Sequence, residues 1–225
     1  MPGYKLSRLP CRDVLNVLGM YPGDPGPPGG DFAGIVSRGG GGLQAGEAVF
    51  GLAAGSLGNF VHASAMTLVP MPSLVTFEEA SSMPTVFITV DTALNQLAAI
   101  TSSDAVLVHA AAGGVGLAAM QVIQASGATA LATAGSSNKR EMLRGLGATH
   151  VVGSRDTQFV SEISELGGAS IVLNSLTSSG MVAGSLAALR PGGRFVEISK
   201  RDIWSAARVA QGEQGGAASL FRIAE

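Results

Sequence analysis

Gly113, Gly114 and Gly116 lie between a β-branched run that ends at His109 and an apolar run through Leu117, Met120 and Ile123. With Ala111 in the first small position and Val115 before the last glycine, the segment reads Ala-x-Gly-Gly-Val-Gly. The chemistry such spacing serves is the binding of a pyrophosphate. The first turn needs residues without bulk, and the backbone must come close to the phosphates. The last glycine lets helix and strand pack tightly, while the helix N-terminus offers unpaired N–H groups and a partial positive charge. A plain tight turn also tolerates glycines, and the chain has 32 of them. The strand before this turn and the helix after it are what favour a dinucleotide site.

The end of the second strand of such a site selects the nicotinamide cofactor. An Asp or Glu there binds the ribose 2′-OH of NAD, whereas basic residues admit a 2′-phosphate. Here the strand at 129–133 is followed by Ser136, Ser137, Lys139 and Arg140, and no acid appears before Glu141. Lys139 and Arg140 suit a phosphate, and Ser136 can hydrogen-bond it. The same residues also serve as an ordinary capped, solvated helix start. The missing acid favours NADPH.

These residues need a scaffold, and the pattern from Asp104 onward supplies one. Strands are expected at 106–109, 129–133, 150–152, 170–173 and 194–198, with helices at 114–126, 137–146, 157–166 and 180–189. Strict alternation implies a right-handed, doubly wound parallel sheet covered on both faces. Asn174 and Ser175 end the fourth of these strands, at the same sheet edge as the glycine turn. They are candidates for the nicotinamide ribose, or else cap a turn. After Lys200 the regularity fades, and 211–216 reads as loop. The first third reads as short strands and loops: 32–36, 47–50 and 60–63 as strands, and 19–30 too rich in Gly and Pro for a helix or central strand. The stretch 77–97 turns helical, with Glu78 and Glu79 suiting the dipole at its start. Pro84 divides it into two helices.

Composition narrows the function further. A net charge of −2 and a pI near 5.9 give no reason to expect nucleic acid or an anionic membrane as partner. Charged residues are only 13% of the chain, which suggests that part of the surface is normally covered. One cysteine, Cys11, excludes an internal disulfide, and His62, His109 and His150 are too scattered for a zinc site. No secretory leader is legible in residues 1–10, and no apolar run is long enough to span a bilayer, so the cytosol is the default.

Several motifs in order now carry a resemblance. They are Arg12-Asp-Val-Leu15, Leu18-Gly-Met-Tyr-Pro-Gly23, the segment 108–116, Ser154-Arg155, Val172-Leu-Asn-Ser-Leu176 and Gly192-Gly-Arg-Phe-Val-Glu-Ile-Ser-Lys200. Together they resemble the enoylreductase domain of polyketide synthases and animal-type fatty acid synthases, a zinc-independent branch of the medium-chain dehydrogenases related to quinone oxidoreductases. The resemblance implies a partial GroES-like β-barrel domain over 1–85 and a Rossmann-type NADP-binding domain over 86–225. It implies NADPH-dependent reduction of an α,β-unsaturated acyl thioester on an acyl carrier protein, with hydride to Cβ and a proton to Cα. Lys200 falls where the family places a proposed proton donor; a strand-end lysine that merely reaches solvent is the alternative.

The chain also departs from the family. Pro10-Cys11 replaces Asn-Phe, Asp91-Thr92 stands where aromatics are common, and Asp31 stands where glutamate is usual. The family's first domain begins before Leu9 and its sheet gains a sixth strand after Lys200. The reading is therefore a sheet incomplete at its C-terminal edge, with an exposed fifth strand and a tendency to self-associate. The acidic partner of the lysine falls at or past the end, and Glu225 is no secure match. Other synthase domains are expected as partners, and a homodimer stays open. Two alternatives remain: a non-catalytic nucleotide-binding remnant, and a free-standing quinone or alkenal reductase.

Overall fold

A strand that is apolar on both faces needs cover on both sides, and a strand with one wet face does not. The strand at 169–174 follows the first rule, buried at every position, whereas the strand at 48–52 alternates between buried and half-buried positions. The computed structural model describes residues 5–7, 11–21, 23–24, 26–205, 207–209 and 219–223. The chain forms two units, 1–88 and 89–225. The expected loop at 211–216, and Glu225, lie outside the described residues.

The first unit is an antiparallel sheet of β1 (Lys5–Ser7), β2 (Asp31–Ile35), β3 (Ala48–Leu52) and β4 (Leu68–Pro70), in that order. Two expectations need correction here. The segment 60–63 is not a strand, and Phe60 is exposed; the edge of β3 is taken by β4, with Val49 opposite Pro70. Gly51 permits that pairing, because a Cβ there would sit 2.0 Å from the Thr67 carbonyl oxygen. The N-terminal third also holds a helix, α1 (Cys11–Val17), where only strands and loops were expected. Buried Asp13 anchors it by accepting from the Gly29 amide at 2.8 Å. Asp31 is buried as well, its Oδ1 accepting from the amide and hydroxyl of Thr85 at 3.0 and 2.5 Å.

The helical stretch breaks at Pro84 as its ring requires. Helix α2 (Phe77–Ala80) starts in a reciprocal cap between Thr76 and Glu79, and α3 (Pro84–Val90) has the proline at its first position, where a missing N–H costs nothing. A π-helical segment, Asp91–Leu97, follows directly. Asp91 accepts from Asn95 Nδ2 at 2.7 Å and Gln96 Nε2 at 2.8 Å, a spacing that suits the wider turn.

The second unit alternates β5 (Ala105–Val108), α4 (Gly114–Ser126), β6 (Thr129–Ala134), α5 (Ser137–Gly145), β7 (His150–Gly153), α6 (Phe159–Glu165), β8 (Ala169–Asn174), α7 (Met181–Ala187) and β9 (Leu189–Glu197). A tenth strand, β10 (Ser219–Arg222), pairs with β9 in parallel, Leu220 opposite Phe195. The sheet order is β10-β9-β8-β5-β6-β7. The sheet is thus Rossmann-type and six-stranded, and the expectation that it stops at a bare fifth strand is corrected. The terminal strand on that side of the sheet is therefore β10 and not β9. Every residue of β8 is buried, and Leu107, Leu131, Phe159, Val172, Met181 and Phe195 fill the core around it.

At the edge where the strands begin, Asp104 ties three segments together. It accepts from Ser170 Oγ at 2.7 Å and from the Thr101 amide at 2.8 Å, and it pairs with Arg194. Burial works against its charge, yet these bonds and the guanidinium outweigh burial and hold the carboxyl below its ordinary range. The opposite edge, where the strands end, is where sheets of this kind receive ligands.

Candidate functional site

Sheet order locates the site before any side chain does. From β5 the chain winds outward through β6 and β7, then returns to place β8 on the other side of β5. The crevice beyond the ends of β5 and β8 is where such folds receive ligands. The turn after β5 opens onto it. Ala110 has φ of +48°, unusual for a residue with a Cβ, and the Gly113 amide donates back to the Ala110 carbonyl at 2.8 Å. The amides of Ala110 and Ala111 are held by Thr133, through its hydroxyl at 3.2 Å and its carbonyl at 3.0 Å.

Helix α4 then begins with Gly113 as N-cap, which has no side chain to cap it. The first intrahelical bond runs from the Leu117 amide to the Gly113 carbonyl at 2.8 Å. The amides of Gly114, Val115 and Gly116 therefore lack acceptors within the helix and face outward from its positive end. Gly116 has a different task. A Cβ there would lie 2.4–2.5 Å from the backbone of buried Ala111, so only glycine lets the helix rest on the turn. This fits a pyrophosphate: close backbone approach, unpaired donors and no carboxylate.

The end of β6 meets the other half of the expectation. Ser136 is the N-cap of α5, accepting from the Lys139 amide at 3.4 Å, and Arg140 Nη1 donates to the Ala134 carbonyl at 3.2 Å. Lys139 is exposed. The structure adds Arg155, from the loop after β7, which sequence reasoning left without a role. A Cβ at Gly135 would lie 3.7 Å from Arg155 Nε and 3.6 Å from Ser154 Oγ. Its signal was a basic residue just beyond the neighbouring strand, informative only once β7 is known to flank β6.

At the other side of the switch point, Asn174 is wholly buried and its amide is spent internally. Nδ2 donates to the Leu176 carbonyl at 3.2 Å and to Glu197 Oε2 at 2.8 Å, while Oδ1 accepts from the Leu176 amide at 3.2 Å. Asn174 thus shapes the turn after β8 and offers no exposed atom to a ribose. Half-buried Ser175 donates to the His109 carbonyl at 3.3 Å. Glu197, buried at the end of β9, also accepts from the Ser199 amide at 2.8 Å. It braces the segment that leads to Lys200, which is exposed. A lone carboxylate inside the apolar run 195–198 was the signal for Glu197.

Behind the turn, His109 is buried with Nδ1 3.2 Å from Thr133 Oγ1 and Nε2 2.8 Å from Ser185 Oγ. Its ring packs against Phe159 in a T-shaped arrangement, with centroids 5.0 Å apart. Burial pushes its pKa down to about 3, so the ring is neutral.

A parallel six-stranded sheet with an uncapped helix at its switch point makes this an α/β protein of the Rossmann type. Residues 114–209 match the family of zinc-binding dehydrogenases, although no group of three or more His, Cys, Asp or Glu comes together among the described residues. The chain is 44% identical over 216 residues to the spectinabilin polyketide synthase system protein NorB of Streptomyces orinoci, covering 94% of this chain and 10% of that protein. Among solved structures it is similar to the CurK enoyl reductase, at 36% identity and a TM-score of 0.88, over 99% of this chain and 70% of that one. It is also similar to an Escherichia coli quinone oxidoreductase complexed with NADPH, at 26% identity and a TM-score of 0.83, over 99% of this chain and 73% of that one. The chain belongs to the enoyl reductases of polyketide synthases. It spans about a tenth of the synthase protein it matches.

Proposed function

We propose that this chain binds NADPH along the strand-end edge of its parallel sheet and reduces an α,β-unsaturated acyl thioester presented by an acyl carrier protein. The observation that carries the reading is the uncapped start of α4 at the switch point, with Lys139 and Arg155 and no acid at the end of β6. In this reading the amides of 114–116 hold the pyrophosphate and the two cations take the 2′-phosphate. Gly113 leaves room for the backbone to approach. Ser136 and Arg140 shape the α5 start, and Asn174 and Ser175 set the turn beside the nicotinamide ribose. When bound, NADPH supplies the hydride for Cβ. Lys200 holds the proton destined for Cα, and Glu197 steadies the segment that carries it.

The thioester is favoured over a quinone because the chain is 36–44% identical to the polyketide-synthase relatives, against 26% to the quinone oxidoreductase. The other domains of a synthase are the partners this reading requires. No helix of the described residues is long and apolar enough to cross a membrane.

The test is NADPH oxidation with a crotonyl thioester and with quinones, in the wild-type chain and in Lys200→Met. The reading expects preference for the thioester. It also expects Lys200→Met to slow turnover by about 10²- to 10⁴-fold with NADPH affinity unchanged, as loss of a general acid does. Preference for quinones, or full turnover without Lys200, would refute it. Binding of NADPH with no turnover of any substrate would establish the non-catalytic alternative.

A further inference from the structure

The hydrogen bonds around His109 have only one consistent set of directions. Ser185 Oγ donates its proton to the Met181 carbonyl at 2.7 Å, so toward the ring it can only accept. The Nε2 of His109, 2.8 Å away, must carry the imidazole hydrogen. In a neutral ring Nδ1 is then bare and accepts the proton of Thr133 Oγ1 at 3.2 Å. With its proton committed, Thr133 Oγ1 meets the Ala110 amide at 3.2 Å as an acceptor. A directed relay thus runs from the Ala110 amide through Thr133, His109 and Ser185 to the Met181 carbonyl on α7. It joins the first residue of the glycine turn to a helix on the sheet's face.

What the relay holds is not an ordinary core contact. Ala110 adopts φ of +48°, a conformation that its surroundings must hold in place. Its carbonyl in turn receives the Gly113 amide, which sets where α4 begins. The Ser175 hydroxyl grips the His109 carbonyl from the other side of the switch point. An aliphatic side chain would pack as well against Phe159, but it could not orient the Thr133 hydroxyl toward the turn.

We propose that His109 is a positioning residue for cofactor binding: as the Nε2–H tautomer it orients the Thr133 hydroxyl, which fixes the Ala110 amide and with it the turn that receives the pyrophosphate. The proposal rests on the NADPH reading above. Its consequence is that Ser185, which bonds the ring and not the turn, still affects cofactor affinity.

The experiment compares wild type with Ser185→Ala, Thr133→Val and Thr133→Ser. NADPH affinity is measured by fluorescence titration well below the melting temperature, and hydrogen exchange at the Ala110 and Ala111 amides is measured without cofactor. Ser185→Ala and Thr133→Val should each weaken NADPH by about 2- to 30-fold, the span of energetic coupling through packed networks, and should speed exchange at Ala110. Thr133→Ser keeps the hydroxyl and should restore both. A Ser185→Ala variant that melts earlier but keeps wild-type affinity and wild-type exchange at Ala110 overturns the proposal. If wild type itself takes up no NADPH, the cofactor reading fails. The exchange data then decide the relay alone: faster exchange in Ser185→Ala supports it, and unchanged exchange sinks it.

Discussion

Gly113 and Gly116 stand at the same turn yet should fail in opposite ways when substituted. A Cβ at Gly116 would fall 2.4–2.5 Å from Ala111 Cα, C and O. These are backbone atoms of a segment tied to Thr133, so the clash cannot be relieved by a side-chain swing. Overpacking of this kind costs about 1–3 kcal/mol, and the better helix propensity of alanine returns less than about 1 kcal/mol. Gly116→Ala should therefore lower stability by about 1–2 kcal/mol, or about 3–8 °C in melting temperature for a unit of this size. At Gly113 the backbone is extended, and a Cβ meets only the Ala110 carbonyl oxygen at 3.2 Å. Gly113→Val should melt within a few degrees of wild type. Its side chain would stand at the helix mouth, and NADPH affinity should fall by more than about tenfold, a loss of about 1.4 kcal/mol. Thermal unfolding and fluorescence titration of both variants decide the matter. A Gly116→Ala variant as stable as wild type would refute the packing argument, and unchanged NADPH affinity in Gly113→Val would refute the cofactor assignment.

Lys139→Ala and Arg155→Ala should each weaken NADPH by about 1.5–3 kcal/mol and leave NADH almost untouched, as loss of a charge-assisted bond to the 2′-phosphate requires; equal losses for both cofactors would contradict this. His109 makes stability depend on pH. Its folded pKa of about 3 lies below the ordinary 6.5, so the unfolded chain takes up a proton that the folded chain refuses. The contribution is complete above pH 6.5 and should shrink by about 2 kcal/mol by pH 5, seen as a fall in the urea midpoint that is absent in His109→Leu. Asp104→Ala leaves Arg194 and Ser170 without their buried acceptor and should cost about 3 kcal/mol. Because Asp104 lies at the strand-start edge, NADPH affinity at low temperature should stay as in wild type.

The second unit was legible because its signals are local. Strands such as β8 are apolar on both faces, each helix start is marked by Gly, Ser or a short polar run, and the glycine turn sits between a strand and a helix. The sixth strand was not legible, since Ser219–Arg222 is short and gains its meaning only from pairing with β9. The same holds for β4, which displaces the more strand-like 60–63 because of Gly51. Among the candidate site residues, Gly113 and Gly116 stand out in the sequence because their spacing falls between a strand and a helix. Arg155 and Glu197 required the strand order, which brings the end of β7 beside β6 and the end of β9 beside β8. Asn174 ends a strand at the right edge, which suits either a ribose contact or a turn cap, and its burial and hydrogen bonds show it holding the turn.

The central claim is that the α4 turn presents NADPH to an enoyl thioester at this sheet edge. The most direct measurement incubates the chain with crotonyl thioester and NADPH deuterated at the transferable C4 position, then reads the product by mass spectrometry. The account predicts a butyryl thioester with one deuterium at Cβ, in amounts equal to the NADPH consumed, and at least about tenfold less product from Gly113→Val at limiting NADPH. A wild-type chain that binds NADPH but leaves the crotonyl thioester unreduced, or a product without deuterium at Cβ, would contradict it.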